Sequence, residues 1–211
     1  MNPRILLIDD HVAVRKGLEQ MLGSEFPFAV FGTAATAQKG IEEIERAAWD
    51  VAILDLSLRE VSGLDLIRRM KDKQPRLSVL IYTMYPEEQF GIRALKAGAD
   101  GYVTKDVAAT EVVRAVKRLL SGARYISPAL AERLAQKVTV RAHDKPHELL
   151  SNREFIVMRK MASGKSVSQI AADLSLSVKT VSTYRTRILS KLDLKTTAEL
   201  LRYAIENGFT E

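Results

Sequence analysis

The sequence predicts an open, doubly wound α/β domain followed by an all-helical domain, and three observations predict it. Short apolar runs alternate with amphipathic helical patterns over residues 1–121. From Ser151 onward, apolar positions recur only at helical spacing. The charge divides in the same place. Residues 1–120 carry 17 basic and 17 acidic side chains and residues 121–211 carry 15 and 9, so the whole net charge of +6 lies in the second part.

The strand candidates are Ile5–Ile8, Phe28–Phe31, Val51–Leu54, Val79–Tyr82 and Gly101–Val103. A run such as Val51-Ala52-Ile53-Leu54 is apolar at every position, as a strand covered on both faces is. Between these runs, residues 12–22, 37–48, 64–72, 87–97 and 110–120 place apolar side chains three or four apart, for example Ile41 with Ile44 and Val112 with Val116. Five such repeats predict a parallel sheet with helices on both faces. The stretch 122–148 breaks the rhythm and reads as a linker. A short helix starts near Pro128, and the polar TVRAHDKPHELL follows. Within residues 149–211, Ser151 with Glu154 and Thr196 with Glu199 have the capping-box spacing, and Gly164 and Gly208 stand where helices end.

Composition narrows the function classes. The chain has no cysteine, which excludes a disulfide framework and a cysteine-based zinc site. The N-terminal MNPRILLIDD has too short an apolar run for a secretion signal or a membrane span. A cytoplasmic setting without membrane attachment is therefore expected, and the basic second part suits a polyanionic partner.

The residues that follow the strands carry the chemistry. Strand one runs into Asp9-Asp10, strand three into Asp55, strand four into Thr83 and strand five into Thr104-Lys105. Right-handed crossovers bring all of these tips to one edge of the sheet. Three carboxylates gathered there repel one another unless a cation intervenes, and a hard divalent ion such as magnesium suits oxygen ligands. An ammonium and a hydroxyl beside them suit phosphoryl oxygens. A carboxylate free to attack would become an aspartyl phosphate.

The set LLIDD, VAILD, VLIYT and GYVTK, in this order and spacing, resembles the receiver domain of two-component response regulators over about residues 3–120. The resemblance implies a flavodoxin-like (βα)5 fold with Asp55 as phosphoacceptor. It implies magnesium held by Asp9, Asp10, Asp55 and the backbone carbonyl of Ser57. Thr83 and Lys105 would contact the phosphoryl group, and Tyr102 would be the aromatic that moves inward with Thr83. Gly63 matches the glycine of the loop beyond the phosphorylation site. Two positions depart from the pattern: Met84 stands where the family has a small residue, and Asp106 where it has proline after the lysine. His11 is expected to cap the first helix.

In the basic part, residues 166–192 read as helix, a break near Ser175–Ser177, and a second helix with Ser177 as N-cap. At 100° per residue, Val178, Val181, Ile188, Leu189 and Leu192 share one side. Lys179, Thr183, Thr186 and Ser190 project opposite, flanked by Ser182 and Arg187. A short, basic, hydroxyl-rich face suits a helix entering the DNA major groove. Arg185 falls in the apolar sector, where its stem would pack and its head reach a phosphate or an acid. The segment from Leu150 to Leu192 resembles the LuxR-type four-helix helix-turn-helix, and the two resemblances together identify a NarL/FixJ-class regulator. The implied DNA contacts are Lys179, Thr180, Ser182, Thr183, Thr186, Arg187 and Lys191. The last helix, residues 197–207, would supply a homodimer contact or core packing.

The expected function is DNA-binding transcription regulation, switched when a histidine kinase phosphorylates Asp55. No enzymatic role beyond slow self-dephosphorylation is expected. The alternative is an orphan regulator whose receiver serves as a phosphorylation-independent interaction module. A phosphatase would carry a second aspartate where Ser57 stands, and an RNA-binding output would present a platform of stacking aromatics.

Overall fold

The computed structural model describes residues 2–58, 63–139 and 146–209, with side chains throughout except at 136–139 and 148. The chain forms two compact units, Met1–Val140 and Arg141–Glu211.

The first unit is built on strands β1 (Arg4–Ile8), β2 (Val30–Ala34), β3 (Val51–Leu54), β4 (Ser78–Thr83) and β5 (Gly101–Thr104). They form one parallel sheet in the order β2-β1-β3-β4-β5. The helices between them are α1 (Val12–Glu25), α2 (Ala37–Arg46), α3 (Gly63–Lys73), α4 (Glu87–Ala97) and α5 (Ala109–Leu120). Helices α1 and α5 bury Leu18, Leu22, Val112, Val116 and Leu119 against Ile5, Leu7, Ile53 and Leu80. Helices α2, α3 and α4 cover the other face, packing on β1, β2, β5 and each other.

Strand β2 begins at Val30, two residues later than the expected Phe28–Phe31 run, and ends three residues later at Ala34. Phe28 is 75 % exposed, and pairing with β1 begins at Val30, opposite Arg4. As an edge strand, β2 is half-open to solvent and lacks a continuous apolar run to mark its ends. The start of α3 depends on a glycine at position 63, because a Cβ there would lie 2.7 Å from Leu56 Cα. The expected loop residues Val61 and Ser62 lie outside the described residues.

Helix α6 (Pro128–Thr139) falls within the stretch read as linker, yet it packs on α4 inside the first unit. Leu130 is buried there against Gly91, where a Cβ would come within 2.9 Å of it. Burying a leucine side chain contributes about 1.5–3 kcal/mol. Ser127 Oγ donates to Glu87 Oε2 at 2.5 Å and accepts from the Leu130 amide at 3.0 Å, and Arg133 donates to the Glu88 carbonyl. Burial of Glu87 and the nearby Glu88 raise its pKa, against the lowering effect of Ser127 and Arg133. Tyr125, just before α6, makes an isolated parallel bridge to Gly101 at the start of β5. The rest of the polar linker, residues 140–145, lies outside the described residues.

The second unit opens with a 3-10 turn (Pro146–Leu149) and continues with α7 (Asn152–Ala162), α8 (Val167–Asp173), α9 (Val178–Lys191) and α10 (Thr197–Glu206). Both expected capping boxes are present, Ser151 with Glu154 and Thr196 with Glu199, and a third joins Ser166 to Gln169. Gly164 and Gly208 follow the helix ends with φ of 80° and 70°, the left-handed region a glycine enters without strain. Helix α9 lies against α7 and α8, with α10 on α7.

Candidate functional site

The parallel ladder extends just past the strand ends and fixes the tips that follow. The Asp9 amide donates to the Ala34 carbonyl at 3.2 Å, the Asp55 amide to Ile8 at 2.9 Å and the Lys105 amide to Thr83 at 2.8 Å. Side chains from three strand tips meet there. Lys105 Nζ lies 2.6 Å from Asp9 Oδ2 and 2.6 Å from Asp55 Oδ2, and both carboxylates are buried. Ser57 donates to Asp55 twice, from its amide to Oδ1 at 3.0 Å and from its hydroxyl to Oδ2 at 2.6 Å.

The electrostatics are set by that ammonium. Burial alone would raise the Asp55 pKa, but the charge and hydrogen bond of Lys105, with the two bonds from Ser57, hold it below the ordinary carboxylate value. Burial likewise opposes the charge on Lys105, and Asp55 and Asp9 outweigh it and raise its pKa. Both groups are therefore ionised at neutral pH.

Asp9, Asp10, His11 and Asp55 each offer one ligand atom, all within 4.8 Å of one another. His11 does not perform the capping expected of it. It occupies the N-cap position of α1 without a side-chain cap bond, and its Nδ1 lies 3.1 Å from Asp9 Oδ1 and 2.8 Å from Asp10 Oδ1. The His11 amide also donates to Asp9 Oδ1 at 2.7 Å, and Arg15 grips the Asp9 carbonyl at 2.5 Å. Spacing does not reveal these contacts, because they depend on the turn conformation after β1.

Thr83 is fully buried at the end of β4, and its hydroxyl accepts from the Tyr85 amide at 3.5 Å. Tyr102 is buried, and its hydroxyl donates to the Tyr85 carbonyl at 2.8 Å. Burial, followed by nearby Glu87 and Asp55, raises the Tyr102 pKa, so the phenol stays protonated and keeps that bond. A cavity of about 330 Å³ lies beside it, lined by Met84, Glu87, Tyr102, Asp106 and Ser127. Met84 is 70 % exposed. The Lys105–Asp106 peptide is trans, like every peptide bond described.

In the second unit, Lys179, Thr183, Thr186, Arg187 and Ser190 are exposed on α9, and Ser182 and Thr180 are half-buried. Ser177 caps the helix by accepting from the Thr180 amide at 3.0 Å, and the two hydroxyls share a 2.8 Å hydrogen bond. Val181, Ile188 and Leu192 are buried as expected, but Val178 is 51 % exposed. Val178 is the first residue of α9 and stays open at the helix start, although the periodicity assigns it to the apolar sector. Arg185 and Tyr184 are half-buried, and Arg185 Nε is enclosed without a hydrogen-bond partner among the described residues.

Lys191 is engaged inside the domain. Its ammonium binds the buried Glu154 carboxylate at 2.7 Å and the Leu149 carbonyl at 3.3 Å. Despite burial, Lys191 and Ser151 lower the Glu154 pKa. Lys191→Ala is expected to destabilise this domain by about 1–2 kcal/mol, less than the 3–5 kcal/mol of a fully buried pair, because its side chain is 40 % exposed and water screens it. The lowered Glu154 pKa makes the pair's contribution complete above about pH 5 and lost as pH falls through the folded-state value. Thermal unfolding at pH 7 and pH 3 checks this. A variant as stable as wild type at pH 7 would refute it.

Residues 5–117 match the response regulator receiver domain family, and residues 148–204 match the bacterial regulatory proteins of the luxR family. The response regulator GacA of Pseudomonas aeruginosa is 34 % identical over 209 residues, covering 99 % of this chain and 98 % of that protein. The response regulator UvrY of Escherichia coli K12 is 32 % identical over 205 residues, covering 97 % and 94 %. Among solved structures, Salmonella enterica RcsB bound to promoter rprA in the presence of a phosphomimetic is 27 % identical with a TM-score of 0.62. That match covers 96 % of this chain and 98 % of RcsB.

Proposed function

The chain belongs to the response regulators, with a receiver domain joined to a LuxR-type DNA-binding domain, and from that premise we propose that Asp55 is its phosphoacceptor. The single observation that carries the proposal is Lys105, bonded at 2.6 Å to carboxylates from two different strand tips. In the transfer, an Asp55 oxygen forms a bond to phosphorus as the phosphorus–nitrogen bond of a kinase phosphohistidine breaks, and the imidazole leaves. Ser57 orients the attacking carboxylate, and Lys105 and Thr83 take the phosphoryl oxygens.

Asp9, Asp10 and Asp55, with the Ser57 carbonyl, are the ligands we assign to magnesium, and the convergence of hard oxygen donors fits that ion. When bound, it supplies positive charge against the carboxylates and the phosphoryl oxygens. Serine at position 57, where related phosphatases carry a second aspartate, supports slow self-dephosphorylation. Tyr102 already occupies the buried position here, and phosphorylation would shift the population toward states with this packing. We assign residues 1–121 to the receiver, 122–148 to a connecting segment whose helix α6 packs on the first unit, and 149–211 to DNA binding.

Lys179, Ser182, Thr183, Thr186 and Arg187 are the proposed contacts to double-stranded DNA, and Thr180 and Lys191 hold the α9 frame. Ile205 is 61 % exposed on α10 and is the apolar contact we assign to a homodimer. Such a dimer would bring two α9 helices to half-sites about 34 Å apart. A sensor histidine kinase and DNA as partners imply work in the cytoplasm. No helix among the described residues is long and apolar enough to cross a membrane. A salt titration on duplex and single-strand probes tests the output: tighter duplex binding that weakens steeply with salt is expected, and a preference for single strands would defeat it.

A further inference from the structure

We propose that His11 is a nitrogen ligand of the divalent ion in the acidic pocket, and that it shifts the pocket's preference from magnesium toward transition ions such as nickel and zinc. The inference rests on the metal-binding reading of Asp9, Asp10 and Asp55. It goes further by adding a ligand and naming the class of ion that ligand favours. His11 stands at the N-cap position of α1, yet its side chain makes no cap bond there. Its Nδ1 lies instead 2.8 Å from Asp10 Oδ1 and 3.1 Å from Asp9 Oδ1. One ring nitrogen carries at most one proton, which cannot point well at two oxygens at once. A single ion can serve all three atoms. Ligands about 2.1 Å from an ion and at right angles around it stand about 3.0 Å apart, and both separations fall near that value.

The oxygens of Asp9 are divided between two neighbours. Lys105 holds Asp9 Oδ2 and Asp55 Oδ2 at 2.6 Å each, whereas the His11 amide and imidazole both address Asp9 Oδ1. An ion bound at Oδ1 beside His11 therefore need not displace the ammonium. The imidazole is 62 % exposed, so water can reach the ion and complete its coordination, and the residue can be replaced without opening the core. Oxygen donors suit magnesium, which gains little from an imidazole, whereas nickel and zinc take one readily. One nitrogen added to an otherwise all-oxygen set therefore strengthens the second class of ion and leaves the first nearly unchanged.

The test is calorimetric titration of the full chain with nickel chloride and, separately, with magnesium chloride. H11A should weaken nickel about thirtyfold and leave magnesium within about twofold of wild type. H11Q, which offers an oxygen in place of the ring nitrogen, should recover little of the nickel affinity. Manganese, which shares magnesium's taste for oxygen, reports the ligand directly. Pulsed EPR of the manganese-loaded wild type should show coupling to an imidazole nitrogen, and H11A should not. Equal effects of H11A on nickel and magnesium, or a wild-type manganese spectrum without nitrogen coupling, would overturn the inference while magnesium binding stands. Nickel affinity that survives D10N belongs to another part of the chain and would overturn it as well. If neither nickel nor magnesium binds the wild type, the metal reading of the pocket falls and this inference goes with it.

Discussion

Asp55→Ala should abolish magnesium-dependent phosphoryl labelling of the chain by a small acyl phosphate, read as loss of the added mass on the intact protein. Asp55 is the carboxylate at this edge on which both Lys105 and Ser57 converge. Its pKa is held down despite burial, because the Lys105 ammonium and the Ser57 donors stabilise the charged form, so the attacking oxygen is an anion at neutral pH. Asp9 shares Lys105 but takes its remaining bonds from His11, within the same turn. The expected effect is complete loss. Labelling of Asp55→Ala at the wild-type rate would place the phosphoryl group elsewhere and dissolve the proposed switch.

Lys105→Met should destabilise the metal-free chain by about 3 kcal/mol, because it leaves Asp9 and Asp55 buried together without their cation. Lys105 is only 10 % exposed, so solvent screening does little to soften the loss. Millimolar magnesium should recover part of it in the variant, since binding to the folded state alone stabilises that state. The pH dependence follows from signs. Asp55 in the wild type has a lowered pKa, so its contribution is present above the unfolded carboxylate value and disappears as pH falls through the folded one. Without the ammonium, burial would raise that pKa and the variant would gain from protonation. The gap between the two proteins should therefore narrow on acidification, as thermal unfolding in EDTA from pH 7 to pH 4 would reveal. A constant gap across that range would show that the ion pair is not its source.

The parts of the fold legible in the sequence are those where one physical constraint acts alone. Val51–Leu54 has its expected ends because a strand buried on both faces must be apolar throughout. The meeting of Asp9, Asp55 and Lys105 was legible because parallel topology leaves their tips no other edge. Strand β2 was misplaced because an edge strand is freed from that constraint. Val178 obeys the helical period but precedes the packing that the period presupposes. Lys191 reads as one more cation on a basic helix, and its tie to Glu154 joins residues 37 apart in sequence. The His11 contacts were hidden for a simpler reason: the direction of one imidazole is a rotamer choice that residue spacing does not encode.

Helix α6 covers one flank of α4. With Leu130 seated over Gly91 and Ser127 hydrogen-bonded to Glu87, that flank of α4 is already taken by the chain itself. Any outside protein approaching the same flank must first evict a resident helix, and the eviction re-exposes a leucine and leaves a half-buried glutamate without its hydroxyl donor. The receiver thus carries its own competitor, and a free partner would compete with an intramolecular contact held there by the covalent chain.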